Sequence, residues 1–419
     1  MFDLDRWFEI WITITRNKTR SIMTCFGVFW GILMLVILLG SGTGLKNGVF
    51  GNFKGFATNS VFFYADRTGE SFKGYNKGRI WKMHNTDVDY IIKNVAGIEY
   101  LSPIVWGRYS EKNIMYGRYA STYHVKGVLP GYYDIETQKL YYGRLLNYLD
   151  IEKKRKVCVI GSKVNEVLFN DENPCGKYIR VNGIYYQVVG VIKPRSSNVD
   201  IGGRSDESVF LPISTMQQTL KRNDIINVLA ISIKPEYMVN EVTNNIIRIL
   251  KSQNDISPTD PQAIGIVNIA AQFATFELLF AGLDFLIWLV GIGTLLAGII
   301  GISNIMMVTV KERTNEIGVR RALGAKPFTI ISQIMSESLV LTTLSGFMGL
   351  CLGVFLLNSI NKLLIANSLN ENTYFEDPSI TLQAAIASTL ILLFSGLFAG
   401  LIPAWRAMQI KAIHAIREE

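Results

Sequence analysis

The sequence predicts a membrane α-helical protein of four transmembrane helices, with a large extracytoplasmic mixed α/β domain of two lobes inserted between helices 1 and 2. Four apolar runs, about Ser21–Gly42, Phe276–Val310, Ile330–Leu357 and Thr381–Pro403, predict the helices. Each exceeds the roughly 20 residues that a ~30 Å hydrocarbon core requires. The intervening segment 43–275 instead mixes alternating strand-like runs with amphipathic ones, which predicts the inserted domain. A mean hydropathy of only +0.24 conceals this segregation. Four runs of that length exclude a soluble cytosolic enzyme and a secreted protein, and the first, which lacks an A-x-A-like cleavage site, reads as an anchor and not a signal peptide.

Charge placement orients the chain. Residues 43–275 hold 29 Lys and Arg against 21 Asp and Glu, which is the whole of the net charge of +8. The remaining charges balance, so no basic surface calls for nucleic acid. Arg6, Arg16, Lys18 and Arg20 precede the first span, and Lys311, Arg313, Arg320, Arg321 and Lys326 separate the second from the third. Arg406, Lys411 and Arg417 follow the fourth, whereas the loop after the third offers only Lys362. By the positive-inside rule both termini and the second–third loop are cytoplasmic, and 43–275 is outside.

In chain order, residues 1–20 form an amphipathic cytoplasmic helix, with Leu4, Trp7, Phe8, Trp11 and Ile12 at helical spacing and tryptophans suited to the lipid boundary. The first span is 21–42, with a helix that continues outward through Leu45, Val49 and Phe53. In the exported domain, one lobe takes about 43–115 and 225–275 and the other, inserted, takes about 116–224. Asn182-Gly183 joins two β-rich runs as a type I′ hairpin. Cys158 and Cys175 lie where a disulfide is chemically permitted, and two free thiols are the favoured reading. The second span, 276–310, is long enough to project beyond the membrane. A polar segment at 311–326 leads to the third span at 327–366, an outer loop at 367–379, the fourth span at 380–404 and a tail at 405–419.

Small residues spaced four apart mark the spans: Gly293, Ala297 and Gly301 in the second, Gly349 and Gly353 in the third, Gly396 and Gly400 in the fourth. They permit close backbone approach, either within one chain or between two copies.

Catalytic signatures do not occur. No G-x-x-x-x-G-K-[ST] run is present, His84, His124 and His414 accompany no metal-ligand spacing, and neither a nucleophile elbow nor H-E-x-x-H is found. The chain is expected to be no enzyme, with no cofactor or metal of its own. The run Lys153–Lys156 reads as a solvated turn. The segment 311–327, KERTNEIGVRRALGAKP, is more telling. Gly324 can end a helix and Pro327 can begin the next, Glu316 and Arg320 sit four apart in the favourable order, and Val319, Ala322 and Leu323 make a small apolar stripe. A short helix tied to two spans can transmit a push from a cytoplasmic partner. A solvated loop is the alternative.

The run GISNIMMVTVKERTNEIGVRRALGAKPFTI from Gly301, SGFMGLCLG through Gly353 and the end from Gly396 resemble the membrane domain of MacB/FtsX-type ABC transporter permeases. RNKTRSIMTCFGVFWGI from Arg16 is similar to that family's first span. VCVIGSKVNEVLF from Val157 and NPCGKYIRVNGIYYQVVGVI from Asn173 resemble the MacB periplasmic core domain. One departure is Ala412, where the family often has proline.

The resemblance implies a homodimer in the bacterial cytoplasmic (inner) membrane, each copy docked on an ABC ATPase subunit that supplies ATP and Mg chemistry. This chain begins at the amphipathic helix, so the ATPase is expected to be a separate polypeptide. A coupling helix within 312–325 would meet it, through Glu312, Arg313, Glu316, Ile317, Arg320, Arg321 and Leu323. Nucleotide-driven motion would pass along the first and second helices to Porter-like and Sabre-like lobes, a mode called mechanotransmission. Efflux of a peptide, antibiotic or other small molecule, with a periplasmic adaptor and an outer-membrane channel, is the leading expectation. A LolCE-like lipoprotein-releasing permease and an FtsX-like regulator of a periplasmic hydrolase are the alternatives. Membrane lipids are the one further partner.

Overall fold

A computed structural model describes residues 18–51, 53, 55–107, 110–194, 201–219, 224–367 and 375–409. The predicted amphipathic helix, apart from its last three residues, and the end of the tail lie outside the described residues. The chain forms two compact units, Met1–Val49 with Leu278–Glu419, and Phe50–Glu277.

The first unit holds four helices long and apolar enough to cross a membrane. Helix α1 (Lys18–Gly51) is the first element among the described residues. The exported part supplies α2 (Asn85–Asn94), α3 (Tyr132–Ile135), α4 (Tyr148–Glu152), α5 (Ser162–Phe169), α6 (Ile213–Thr219) and α7 (Val239–Gln253). Then come α8 (Ile269–Glu312), α9 (Thr314–Ala322), α10 (Pro327–Asn367) and α11 (Leu382–Met408). The predicted extension of the first span is present through Leu45 and Val49 but stops at Gly51, so Phe53 lies beyond the helix. α8 has 44 residues, seven of them before the predicted start, and at 1.5 Å per residue is about 66 Å long. The shared core of this unit includes Val28, Ile32 and Leu35 of α1, Leu295 and Ile302 of α8, Leu341 of α10 and Ala399 of α11.

The second unit is built on one twelve-stranded sheet. Its strands are β1 (Ser60–Ala65), β3 (Ile98–Trp106), β4 (Ile114–Tyr116), β5 (Tyr119–Ser121), β6 (His124–Val128), β7 (Gln138–Gly143), β8 (Val157–Gly161), β9 (Tyr178–Val181), β10 (Ile184–Pro194), β11 (Ser208–Pro212), β13 (Val228–Ile233) and β14 (Ile264–Asn268). The short β2 (Met83–His84) and β12 (Ile225–Ile226) pair separately. The order is β14-β1-β13-β3-β6-β11-β8-β10-β9-β4-β5, with β7 on β10. The two lobes therefore share a sheet, joined where β3 meets β6 through only two residue pairs, Val105 with Gly127 and Trp106 with Lys126. The division predicted at 115/116 falls inside β4, which pairs with β9 of the inserted lobe.

Period-two side-chain alternation explains how one sheet serves two lobes. Val61 and Phe63 of β1, with Leu229 and Ile231 of β13, pack under α2 and α7 in one lobe's core. Cys158 and Ile160 of β8, with Val209 and Leu211 of β11, enter the other lobe's core with α5 and α6. The alternate residues Phe62, Val157, Val159, Phe210 and Ala230 turn to the opposite face, where a single cluster spans both lobes. The predicted hairpin joins β9 to β10, with φ of 46° at Asn182 and 88° at Gly183 as a type I′ turn requires. Cys158 is buried, Cys175 half-buried, and both are free thiols. Lys153–Lys156 is exposed immediately before β8.

The loop between β1 and β2 is pinned by Asp260, which is 1% exposed. Its carboxylate accepts from the amides of Gly69 (2.7 Å), Glu70 (3.2 Å), Gln262 (2.9 Å) and Ala263 (3.2 Å). Burial alone would raise its pKa, but these amides outweigh burial and hold it below the ordinary carboxylate value. The folded pKa lies below the unfolded one, so this stabilisation is present above the unfolded value and is lost as pH falls through the folded one. Asp260→Asn is expected to cost about 1–3 kcal/mol at neutral pH. Its unfolding curve should begin to approach the wild type's as pH falls below about 4 and meet it only below the lowered folded pKa, as urea titrations at several pH values would record.

Candidate functional site

The segment after α8 is a short helix held from behind. α8 ends at Glu312, and Arg313 takes a non-helical turn (φ −98°, ψ 16°) that redirects the chain into α9. Leu323 closes α9, Gly324 adopts the left-handed φ of 92° that favours glycine, and Pro327 opens α10. The Glu316–Arg320 pair forms across one turn at 2.9 Å.

The side chains divide into two sets. Ile317 is buried in the shared core with Met306, Val310, Ile330 and Ile334. Arg313 Nη1 donates to Glu337 Oε1 of α10 at 3.2 Å, and the Glu337 side chain is 4% exposed. Arg320 Nη1 donates to Gln333 Oε1 at 2.9 Å, and Arg321 Nη1 to the Met408 carbonyl of α11 at 2.7 Å. These contacts tie α9 to α10 and α11. A cavity of about 30 Å³ among Arg313, Glu316, Arg320, Gln333 and Glu337 is far below the size of a ligand site, so the cluster is a joint. The second set faces away: Leu323 is 84% exposed, Phe328 77%, Val319 48%, and Glu312 is also exposed.

Of the seven predicted coupling residues, Ile317, Arg313, Arg320 and Arg321 thus hold α9 in place, Glu316 braces Arg320, and Glu312 and Leu323 are presented outward. Glu337, Gln333 and Phe328 escaped the reading of the sequence. A signal for Glu337 existed, since it is the one Asp, Glu, Lys, Arg or His between Pro327 and Asn361, and a charge inside a span is costly unless it has a task.

The small-residue faces also divide. A Cβ on Gly349 would lie 2.6 Å from the Phe29 carbonyl oxygen, and one on Gly353 would strike Val36, so both glycines seat α10 against α1. Gly396 and Gly400 meet Thr342 and Ser338 in the same way. α8 approaches α1 through Gly298, where a Cβ would lie 3.1 Å from the Gly27 backbone. Gly293 and Gly301, by contrast, have nothing within 4 Å of a built Cβ, and Ala297 between them is exposed. Gly349→Val is expected to cost about 1–3 kcal/mol through overpacking, whereas Gly293→Val leaves thermal unfolding of the single chain unchanged. Melting of both variants in detergent compares them directly.

A family model for the MacB-like periplasmic core domain matches residues 21–249, and one for the FtsX-like permease C-terminal domain matches residues 288–412. The chain belongs to the MacB/FtsX-type ABC transporter permeases. Among its relatives is the macrolide export ATP-binding/permease protein MacB of Bdellovibrio bacteriovorus, 26% identical over 410 residues, covering 97% of this chain and 60% of that protein. The protein of the same description from Acinetobacter baylyi is 26% identical over 411 residues, covering 97% and 58%. The permease thus spans about 60% of the length of these relatives. Among solved structures, the periplasmic region of MacB from Actinobacillus actinomycetemcomitans aligns with a TM-score of 0.43 and 21% identity, covering 54% of this chain and 96% of that one. In family terms, the FtsX-like match lies in the first unit, and the periplasmic-core match starts in α1 and covers most of the second.

Proposed function

We propose that this chain is the permease of a mechanotransmission ABC exporter. Two copies sit in the bacterial cytoplasmic membrane, with both termini in the cytoplasm and residues 43–275 in the periplasm. Each docks through α9 on an ATPase subunit that binds ATP and Mg. The observation that carries this reading is the attachment of α9. Its back is fixed to α10 and α11 by Arg313, Ile317, Arg320 and Arg321, while Leu323 and Val319 face outward. A displacement of such a helix moves the spans it is bonded to instead of being absorbed in a loop.

The continuous helices α1 and α8 then carry motion into the exported domain. Driving a two-state equilibrium from 1:99 to 99:1 requires about 5.5 kcal/mol of differential stabilisation, which closure of two ATPases on nucleotide supplies. The open stripe Gly293–Ala297–Gly301 is the seam between the two copies, since close helix approach is what small residues on a span permit. The cargo is a small molecule, with macrolide export the activity named for the relatives, handed to a periplasmic adaptor and an outer-membrane channel. The test is nucleotide turnover by the partner ATPase in nanodiscs, with and without this chain and candidate cargo. Turnover should rise when both are present. Turnover by the purified permease alone, or cytosolic access to a tag within 43–275, would overturn the proposal.

A further inference from the structure

An open cleft of about 610 Å³ lies in the exported domain between α7 and the loop that joins β1 to β2. That volume is within the range of small-molecule sites. Its walls are fixed before any ligand arrives. Val242, Ile246 and Leu250 anchor α7 in the core, which leaves Ile247, Arg248 and Lys251 on the cleft side. The opposite wall is the Asp260-pinned loop. Arg79 Nη2 fastens it further by donating to the Asn254 and Asp255 carbonyls at 2.5 and 3.0 Å.

The lining combines an apolar surface, formed by Phe72, Ile247, Ile256 and Pro258, with three cations. Lys73 is neutralised by Asp255 at 2.8 Å. Glu70, near the rim, is held by the Thr259 hydroxyl at 2.7 Å. Among the described residues Arg248 and Lys251 make no ion pair within 4 Å, although Lys251 is close enough to help hold the Glu70 carboxylate in its charged form. Lys251 gives one hydrogen bond, to the Pro258 carbonyl at 2.9 Å, and Arg248 bonds only to the neutral Asn245 side chain. Standing three apart on one helix, these two cations are neighbours that repel each other. An anion between them relieves that repulsion and accepts charge-assisted hydrogen bonds from both.

We propose that this cleft binds a small anionic amphiphile, its carboxylate or sulfonate between Arg248 and Lys251 and its apolar body on Phe72, Ile247, Ile256 and Pro258. The assignment is independent of the coupling role of α9. The full chain in phosphatidylcholine nanodiscs is photolabelled with 4-benzoylbenzoate or with its neutral amide, and the adducts are mapped by mass spectrometry. The acid should label residues 72–73 and 244–258, and the amide should label them about tenfold less. Raising salt to about 0.5 M should weaken the acid's labelling through screening. The R248Q/K251Q variant should lose about tenfold of the acid's labelling and none of the amide's. Equal labelling by acid and amide, or no label at the cleft, overturns the assignment; the latter is also the result if the face receives an acidic segment of a partner protein. Should the double variant not fold, the acid-to-amide ratio on the wild type decides the matter.

Discussion

Leu323→Asp is expected to leave the permease folded and to abolish its stimulation of the partner ATPase. The side chain is 84% exposed and closes α9 on the face turned away from α10 and α11. A substitution there removes almost no internal packing, so the change in stability is within about 0.5 kcal/mol. An apolar anchor at the centre of a small interface is a different matter. Its loss costs about 2 kcal/mol or more, roughly thirtyfold in affinity, and the buried carboxylate adds a desolvation cost. Val319→Asp, half as exposed, should have the same sign and a smaller effect. Charge reversal at Arg320 or Arg321 is a less specific probe, because both hold α9 in its seat. The measurement is ATPase activity in nanodiscs beside a melting curve of the same sample. Wild-type stimulation by a folded Leu323→Asp variant would remove α9 from the interface.

Glu337→Leu is expected to destabilise the membrane unit by about 1–3 kcal/mol, because it removes a buried acceptor of a charge-assisted hydrogen bond from the partly exposed Arg313. Arg313 stands at the bend between α8 and α9, so the loss falls on the joint that sets the direction of α9. Glu337→Gln, which keeps an acceptor oxygen, should cost about half as much. The double variant Arg313→Met with Glu337→Leu should recover much of the stability, since replacing a whole buried pair by apolar groups is often neutral. Thermal unfolding of the four proteins in one detergent forms a double-mutant cycle. Additive single losses would show that the two side chains are not coupled.

Much of this architecture was legible because it rests on local signals. The four spans follow from apolar length, the β9–β10 hairpin from Asn182-Gly183, and the end of α9 and start of α10 from Gly324 and Pro327. What was not legible is set by partners distant in sequence. The stripes at Gly293 and Gly349 have the same spacing, yet one is open and the other is filled by α1, a distinction made only by how the helices turn. The inward direction of Arg313, Arg320 and Arg321 depends likewise on residues of α10 and α11, up to 87 positions away. Five cations in one segment look alike until their acceptors are known.

The placement of β1 between β13 and β14 has a consequence for biogenesis. Val61 pairs with Ile231 on one side and with Asn268 on the other, so neither edge of the strand is covered until some 170–200 further residues have been synthesised and exported. Through that interval a run as apolar as Ser60–Ala65 offers unpaired amides and carbonyls to any neighbouring chain. Maturation of this protein therefore has a window in which a holding chaperone on the far side of the membrane is of most use, and it closes when the second span enters the bilayer.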